Sequence, residues 1–376
     1  MDFGTRPVQA NRTTVVMKPS DIYPDDPPGI LDFREAAASA DLVFSSDEEP
    51  GFTRERLKLD FKYLDRNKKK ITDEAVIARI RKLAIPPAYT DVWICSDAAG
   101  HIQATARDAR GRKQYRYHAK WIELRDSTKY EHMIDFADAL PQIRQRVEAD
   151  MKKPGLPREK VLATIIHLLE TTLIRVGNSE YARENKSYGL TTLLNRHVSV
   201  EGGGLRFQFK GKSGKTWRLK ILDRRVVRIV RACQELPGQH LFQYLDSVGQ
   251  RQSVSSAEVN QYLRSIAGRP ITAKDFRTWA GTVLAAIALS EFEAFDSNAK
   301  AKKNLKAAIE KVSAKLGNTP TICRKCYIHP EILNCYLSGT LVDELKQEIA
   351  SELSEHIGFY SAEEAATLVL LYRRLR

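Results

Sequence analysis

The chain has 376 residues, of which 43% are apolar and 28% are charged, as is ordinary for a soluble globular protein with two or three domains. Its 60 Lys and Arg exceed its 47 Asp and Glu by 13, which favours a polyanionic partner, although a soluble surface rich in lysine gives the same excess. No apolar run reaches membrane-spanning length and no signal peptide opens the chain, so we expect a cytoplasmic protein.

The five cysteines are odd in number and scattered, which argues for reduced thiols rather than a disulfide framework. Cys323-x-x-Cys326 has the spacing of a pair of zinc ligands, but no second pair follows it. We therefore predict buried structural thiols at these positions and no metal site.

Residues 1–41 form an acidic extension that contains several prolines. Its four basic residues against seven acidic ones give it a charge of 4 − 7 = −3, opposite in sign to the whole chain. We predict that this segment is mostly disordered or loosely docked. Residues 42–125 follow as a small domain with short strands, including Asp91–Ile94 and His101–Ala104 on either side of a turn.

Residues 107–121 read RDARGRKQYRYHAKW, six Lys or Arg against one acid. Tyr115 and Tyr117 are two residues apart and share one face of a strand, with Lys113 beside them. Cations that meet phosphates, interleaved with rings that meet bases or sugars, are typical of a nucleic-acid surface. The alternative is an edge strand protected by its charges.

Residues 126–376 are predicted to be mainly helical with one small antiparallel sheet. An amphipathic helix begins at Arg158 and ends at Arg175-Val176-Gly177-Asn178. A period of two between Val198 and Leu219 predicts the sheet, with Lys212 at a hairpin tip. A lysine at such a tip is either functional or simply solvated.

Two further stretches carry residues suited to phosphate chemistry. Arg277 lies in the first turns of a helix that Thr272 caps, where a phosphate binds favourably; the alternative is an arginine paired with an acid. Thr319-Pro320 begins a short helix near whose end Tyr327 lies, directly before a second helix opened by Pro330. A phenol has a pKa near ~10, which cations lower. A buried or DNA-contacting tyrosine is the alternative to a nucleophile.

Taken in order, these motifs resemble the type IB DNA topoisomerases. The resemblance rests on Arg175-Val176-Gly177-Asn178, Phe209-Lys210-Gly211-Lys212, Thr272 to Trp279, and Asn318-Thr319-Pro320 through Tyr327. The stretch from Ile85 to Trp121 is similar to the N-terminal domain of the small bacterial branch, which resembles the poxvirus enzyme. The implied fold is α+β, with a β-rich N-terminal DNA-clamp domain, 42–125, and a helical catalytic domain, 126–376.

The resemblance also implies an activity, namely transient cleavage and religation of one strand of duplex DNA that relaxes supercoils without ATP, metal or cofactor. In it Tyr327 is the nucleophile that forms a 3′-phosphotyrosyl bond, Arg175 and Arg277 clamp the scissile phosphate, and Lys212 is the general acid. Asn318 contacts a phosphate oxygen. Viral and eukaryotic members have histidine there; asparagine still donates a hydrogen bond but cannot shuttle a proton.

By the same resemblance, Tyr181 and Lys274 match positions that touch DNA near the break, and the enzyme is a monomer associated with the nucleoid. Two rival functions stay open. Tyrosine recombinases and integrases share the catalytic domain, but they more often have His-x-x-Arg where this chain has Lys274-Asp275-Phe276-Arg277. A non-catalytic DNA-binding protein of the same fold is the other. The enzyme reading requires that the tyrosine, the lysine and the two arginines converge on one phosphorus atom.

Overall fold

The structure is a computed structural model that describes residues 33–58, 60–109, 111–292, 295–346 and 357–375. The chain divides between Thr128 and Lys129 into two compact units. In the described part of the chain, no helix is long and apolar enough to cross a membrane.

The first unit is a five-stranded antiparallel sheet with two short helices. Its elements in chain order are α1 (Phe33–Ser39), β1 (Phe52–Arg56), β2 (Phe61–Leu64), α2 (Glu74–Lys82), β3 (Thr90–Ile94), β4 (Ile102–Arg107) and β5 (Lys113–Tyr117). The strands lie in the order β2-β1-β3-β4-β5, so β5 is an edge strand. Helix α2 begins where the Asp73 carboxylate accepts from the Ala75 amide at 2.8 Å, and it buries Ile80 against Val92 and Ile94.

Helix α1 lies within the last part of the predicted extension. Residues 1–32 of the predicted extension lie outside the described residues, whereas Phe33–Ser39 form a helix. Ala36 and Ala37 are buried in a cluster with Leu42 and Trp121. The alanines favour a helix and offer a small apolar face that packs against an indole, which the net charge of the segment did not indicate.

The second unit is mainly helical. Its helices are α3 (Ala119–Met151, which begins before the division), α4 (Arg158–Thr172), α5 (Ser179–Asn185), α6 (Arg224–Glu235), α7 (Ser256–Ala267), α8 (Ala273–Ser290), α9 (Asn298–Leu316), α10 (Pro320–Cys326), α11 (Pro330–Leu337), α12 (Leu341–Lys346) and α13 (Ala362–Leu375). Its strands are β6 (Val198–Glu201), β7 (Gly204–Lys210) and β8 (Thr216–Ile221) in one antiparallel sheet, and β9 (Gln243–Leu245) and β10 (Arg251–Ser253) in a hairpin. The α+β class that the sequence implied is confirmed.

Helix α8 is the central helix of this unit. It packs against α4, α9, α11 and α13, and its alanines let those neighbours approach closely. Thr272 caps it as predicted, in a capping box whose Asp275 carboxylate accepts from the Thr272 amide at 2.8 Å. Arg144 on α3 joins two further helices, reaching Glu170 on α4 at 2.6 Å and Glu364 on α13 at 2.8 Å.

Three helix ends that matter for the site were predicted with different accuracy. Thr319 caps α10, with its hydroxyl accepting from the Ile322 amide at 3.3 Å, and Pro330 opens α11, both as expected. Helix α4, however, ends at Thr172 rather than at Arg175. Leu173 takes the left-handed conformation, with φ of 58°, and this turns the chain out of the helix three residues early.

Candidate active site

The loop that carries Arg175 is fixed by backbone contacts. After the turn at Leu173, the Leu190 amide donates to the Arg175 carbonyl at 2.9 Å. Gly177 has φ of 102°, and a Cβ on the facing Gly189 would lie 2.5 Å from the Gly177 nitrogen. Because the two segments touch main chain to main chain, only glycine fits at these positions, and the direction in which Arg175 leaves the loop is set.

Arg277 lies in the second turn of α8 and is 3% exposed. It donates to the Leu173 carbonyl, to the Leu316 carbonyl at 2.7 Å and to Asn318 Oδ1 at 3.1 Å. Burial, with the nearby charge of Arg175, lowers the pKa of Arg277 to about 10, which still leaves it protonated at neutral pH. Among the described residues every hydrogen-bond acceptor of Arg277 is neutral, which speaks against the alternative of an arginine paired with an acid and leaves its charge available to an anion.

Asn318 links the two arginines. Its side-chain oxygen accepts from Arg277 and also from Arg175 Nη2. It follows Gly317, which ends α9 in the left-handed conformation with φ of 66°. Since the oxygen is engaged by two guanidiniums, the amide nitrogen must face the other way. Asn318 Nδ2 and Arg277 Nε are both buried, and neither has a well-aligned hydrogen-bond acceptor among the described residues, although both side chains lie close enough to the Tyr327 hydroxyl to favour its phenolate. The site thus contains two buried donors suited to the oxygens of an anion.

Tyr327 lies beside these groups and is 5% exposed. The Arg277 guanidinium carbon is 5.2 Å from the centre of its ring. Burial by itself raises the pKa of a phenol, but the charges of Arg277, Arg175 and Lys274 outweigh it and lower the pKa of Tyr327 to about 8. Lys274, one helical turn before Arg277, therefore acts on the tyrosine through its charge.

The main chain of Tyr327 rests on α8. A Cβ at Gly281 would lie 2.3 Å from the Tyr327 carbonyl oxygen, so the tyrosine backbone occupies the space that a side chain would fill. One residue later, the Thr282 hydroxyl accepts from the His329 amide at 3.0 Å. Helix α8 thus holds both the Arg277 side chain and the backbone of the tyrosine.

A second group holds the same segment from α3. The Tyr130 hydroxyl lies 3.1 Å from the Lys325 carbonyl and 3.1 Å from the Ile328 carbonyl, on either side of Tyr327. Sequence reasoning did not identify Tyr130, Gly281 or Thr282. The only signal was a lone glycine in an alanine-rich helix, which often marks a close backbone approach.

Lys212 belongs to a different element from the other four predicted catalytic residues. It begins a short 3-10 turn, Lys212–Gly214, at the tip of the β7–β8 hairpin. The tip is attached to the end of α9, because Lys215 Nζ donates to the Ala314 carbonyl at 3.3 Å and the Trp217 ring lies 2.9 Å from the Cβ position of Gly317. The hairpin is therefore joined to the residue that precedes Asn318.

The cysteines near the tyrosine are buried thiols. Cys323 and Cys326 both face the interior of the unit, and burial raises the pKa of Cys323 to about 12, so it stays protonated and unreactive. In the ranges that the structure describes, no three His, Cys, Asp or Glu side chains come together in a way that could hold a metal ion.

The predicted DNA-binding residues lie in two places. Tyr181 is in α5, whose cap Asn178 accepts from the Tyr181 amide at 2.8 Å, a few residues after Arg175. Tyr115 and Tyr117 lie on β5 of the first unit with parallel rings 5.9 Å apart, as the strand spacing predicted. Lys113 forms an ion pair with Asp47 at 2.6 Å, which makes it a weaker phosphate ligand than the sequence indicated.

Other cations of residues 107–121 are also engaged within the first unit. Arg112 pairs with Asp108 at 2.6 Å, and Arg116 donates to the Leu83 carbonyl at 2.9 Å. Lys120 pairs with Asp41 at 3.1 Å, but both side chains are exposed and the pair exchanges easily. The local sequence therefore overstates the free positive charge of this strand, and its edge position agrees with the alternative of a protected edge.

Comparison with known proteins gives the family. Residues 118–355 match the family described as eukaryotic DNA topoisomerase I, catalytic core, and residues 60–108 match the N-terminal domain of bacterial DNA topoisomerase IB. A protein of Acanthamoeba polyphaga mimivirus named DNA topoisomerase 1B is 32% identical over 286 residues, covering 74% of this chain and 84% of its own. The chain belongs to the type IB DNA topoisomerases.

More distant type IB topoisomerases match with similar coverage. The DNA topoisomerase 1B of vaccinia virus (strain Copenhagen) is 21% identical over 298 residues, which is 74% of this chain and 88% of that protein. The DNA topoisomerase I of monkeypox virus is 22% identical over the same shares. The family confirms that the chain is a DNA topoisomerase and that its substrate is DNA.

Proposed function

We propose that this type IB topoisomerase cleaves one strand of duplex DNA with Tyr327 and reseals it, so that supercoils are released without ATP. The observation that supports this most directly is the environment of the Tyr327 phenol. Tyr327 is buried beside Arg175 and Arg277, and no described carboxylate neutralises either guanidinium. Such a site favours a phenolate and attracts a phosphate diester.

In the proposed reaction the Tyr327 oxygen attacks the phosphorus and forms a 3′-phosphotyrosyl bond while the 5′-oxygen leaves. Charge develops on the two non-bridging oxygens, and we assign their stabilisation to Arg175, Arg277 and the free N–H donors of Asn318 and Arg277. The 5′-hydroxyl later attacks the phosphotyrosine, returns its proton to the group that supplied it and releases the Tyr327 phenolate, which restores the DNA and the enzyme. Since the covalent bond retains the energy of the broken one, religation needs no nucleotide.

We assign the proton on the leaving 5′-oxygen to Lys212. An alkoxide leaves poorly, and an ammonium on a hairpin tip beside the site can supply the proton. The attachment of the tip to the end of α9 supports this role. The Asn318 carboxamide donates hydrogen bonds through its N–H groups but does not transfer a proton near neutral pH, so it is not an acid or base in this scheme.

The same proposal extends to the oligomeric state, the location, the branch of the family and the DNA contacts of the enzyme. One chain contains all five residues, which suits a monomer on double-stranded DNA, and a DNA substrate suits a cytoplasmic, nucleoid-associated enzyme. The match of residues 60–108 to a bacterial N-terminal domain supports the bacterial branch. Tyr115, Tyr117, Tyr181 and Lys274 are proposed DNA contacts, with Lys113 contributing only where its pair with Asp47 opens.

Supercoiled plasmid incubated with substoichiometric enzyme in EDTA without ATP tests the proposal. Wild type should yield a ladder of relaxed topoisomers, and Tyr327→Phe should yield none while still binding DNA. Tyr360→Phe is the control, because it removes another partly buried hydroxyl, one that donates to the Ala137 carbonyl at 2.8 Å. Relaxation by Tyr327→Phe at the wild-type rate contradicts the nucleophile. Binding without relaxation by wild type favours a non-catalytic protein, and site-dependent joining of two duplexes favours a recombinase.

A further inference from the structure

A cleft of about 450 Å³ lies along the outer face of the β6–β7–β8 sheet. One wall is formed by β7 and β8, and the other by the segment 186–197, which follows α5. None of the proposed catalytic residues lines it. Its described lining contains no carboxylate but has four cations, namely Lys186, Arg196, Lys210 and Arg218. We call it the basic cleft.

The four cations are available to a ligand. All four side chains are exposed, and none of them forms an ion pair with a carboxylate of the described residues. This contrasts with the start of β5 in the first unit, where Lys113 and the preceding Arg112 have acidic partners of their own. Four uncompensated charges in one concave surface attract an anion more strongly than the same charges spread over a convex one.

The walls of the basic cleft are tied to each other. The Tyr188 amide donates to the Lys210 carbonyl at 2.8 Å, and Arg196 Nη2 lies 3.4 Å from the Tyr188 hydroxyl. The Tyr188 ring packs on His197 with the centres 4.4 Å apart. On the sheet, Gln208 lies opposite Arg218 and Lys210 opposite Thr216, which places the two cations on one face. The charges therefore project from a braced surface rather than from loose loops.

Both walls continue into the proposed active site. Lys210, the last residue of β7, precedes Lys212 by two residues, and Tyr188 precedes Gly189, whose backbone contacts Gly177 and Arg175. When one phosphate of a DNA strand lies at Tyr327, the next phosphates of that strand lie nearby. A volume of about 450 Å³ accommodates a sugar with its phosphate rather than an inorganic ion alone.

We propose that the basic cleft binds the sugar-phosphate backbone of the DNA substrate beside the cleavage site, as a phosphate-binding site separate from the scissile one. The proposal rests on the DNA cleavage proposed above. It assigns to Arg196 and Arg218 a contribution to DNA affinity without a part in the chemistry. By engaging Lys210, the same contact places the hairpin that carries Lys212 against the DNA.

The test measures DNA binding as a function of salt in the Tyr327→Phe background, where cleavage cannot contribute. Replacing Arg196 and Arg218 together by Ala should reduce the slope of log Kd against log salt by about two and weaken binding roughly tenfold or more near 0.1 M salt. Replacing Lys152 and Lys306, exposed lysines that each pair with a glutamate one turn away, gives the same change in net charge and should leave the slope unchanged. Arg196→Lys with Arg218→Lys should keep the slope.

An unchanged slope in the folded arginine-to-alanine variant, judged by its melting temperature, overturns the proposal. Titration with inorganic pyrophosphate in the absence of DNA shows whether the basic cleft is a site for a small phosphate compound or for the DNA backbone. Tight binding that depends on Arg196 and Arg218 means a small-molecule site and also overturns it, whereas weak, salt-like binding supports it. Plasmid relaxation by wild type is run alongside. Its failure refutes the proposed function, while the slope still decides what the cleft binds.

Discussion

The phenol of Tyr327 is subject to two opposing effects of comparable size. Removing it from water disfavours the phenolate, whereas the fixed charges of Arg277, Arg175 and Lys274 favour it. The charges prevail, and the pKa falls from 10.0 to about 8. A nucleophile that ionises near neutral pH needs no separate general base in contact with it.

This shift predicts a tyrosine that titrates early. As pH rises through about 8, Tyr327 should lose its proton roughly two units before an ordinary phenol. The difference in phenolate absorbance near 295 nm between wild type and Tyr327→Phe measures it in the free enzyme. Cleavage at subsaturating DNA should rise over the same range, since that regime reports the free enzyme.

Removing a cation tests the cause of the shift. Arg175→Ala should move the midpoint of Tyr327 upward and Arg175→Lys should hold it, because only the first loses the charge. A wild-type midpoint at or above 10 would show that the cations do not outweigh burial in the environment of the phenol.

At the scale of elements, the contact between α8 and the tyrosine backbone predicts the effect of one methyl group. In an exposed helix Gly→Ala is stabilising by about 1 kcal/mol. At Gly281 the new Cβ would instead lie 2.3 Å from the Tyr327 carbonyl oxygen, so the segment must move. Gly281→Ala should lower the free energy of unfolding by ~1–3 kcal/mol, as overpacking does, and slow single-turnover cleavage at saturating DNA.

A displacement of about 1 Å at a reacting group can cost ~10²-fold in rate, which is the scale expected for Gly281→Ala. Ala280→Gly is the matched control, since it weakens the same helix by about 1 kcal/mol without touching the tyrosine. If both variants cleave at the wild-type rate, the backbone contact does not position Tyr327.

The β7–β8 hairpin predicts a different signature for Lys212. If it protonates the leaving oxygen, Lys212→Ala should slow cleavage of an ordinary phosphodiester by ~10²–10⁴-fold. A substrate whose 5′-oxygen is replaced by sulfur needs no proton, and the variant should cleave it nearly as fast as wild type. Equal slowing on both substrates removes the general-acid role. Lys215→Ala, which loses the bond to Ala314, should show a milder form of the same pattern.

Local signals predicted the elements well, and long-range contacts account for what was missed. Thr272, Thr319 and Pro330 act on neighbouring residues, so their caps and helix starts were readable. The bridging of both guanidiniums by Asn318 joins segments 143 residues apart, and no local pattern encodes it. In the same way Lys113 finds Asp47 across the first unit, which a count of charges in one stretch cannot anticipate.

At the scale of the whole molecule, the net charge of +13 is unevenly used. Residues 107–121, the densest run of cations, pair several of them internally, while the four cations of the basic cleft and the two guanidiniums beside Tyr327 have no carboxylate partner among the described residues. The first unit is then better suited to bind DNA through its stacked tyrosines than through charge alone.

That difference predicts the behaviour of a variant in the first unit. Tyr115→Ala should weaken duplex binding by about 1 kcal/mol, the low end of the range for a ring against a nucleotide, with little change in the salt slope. Tyr115→Phe, which keeps the ring, should bind as wild type. Cleavage at saturating DNA should be unchanged in both. A loss of cleavage rate with intact affinity would place Tyr115 in the chemistry instead.

Arg277 and Gly281 are four residues apart in α8, just over one turn of the helix. The distance between the Arg277 cation and the Gly281 contact with the Tyr327 backbone is thus set by the pitch of the helix, which temperature and solvent hardly alter. Surrounding helices can loosen without changing that interval. We therefore expect that, on warming, the rate of bond breaking rises smoothly up to the onset of cooperative melting, and that activity and fold are lost together.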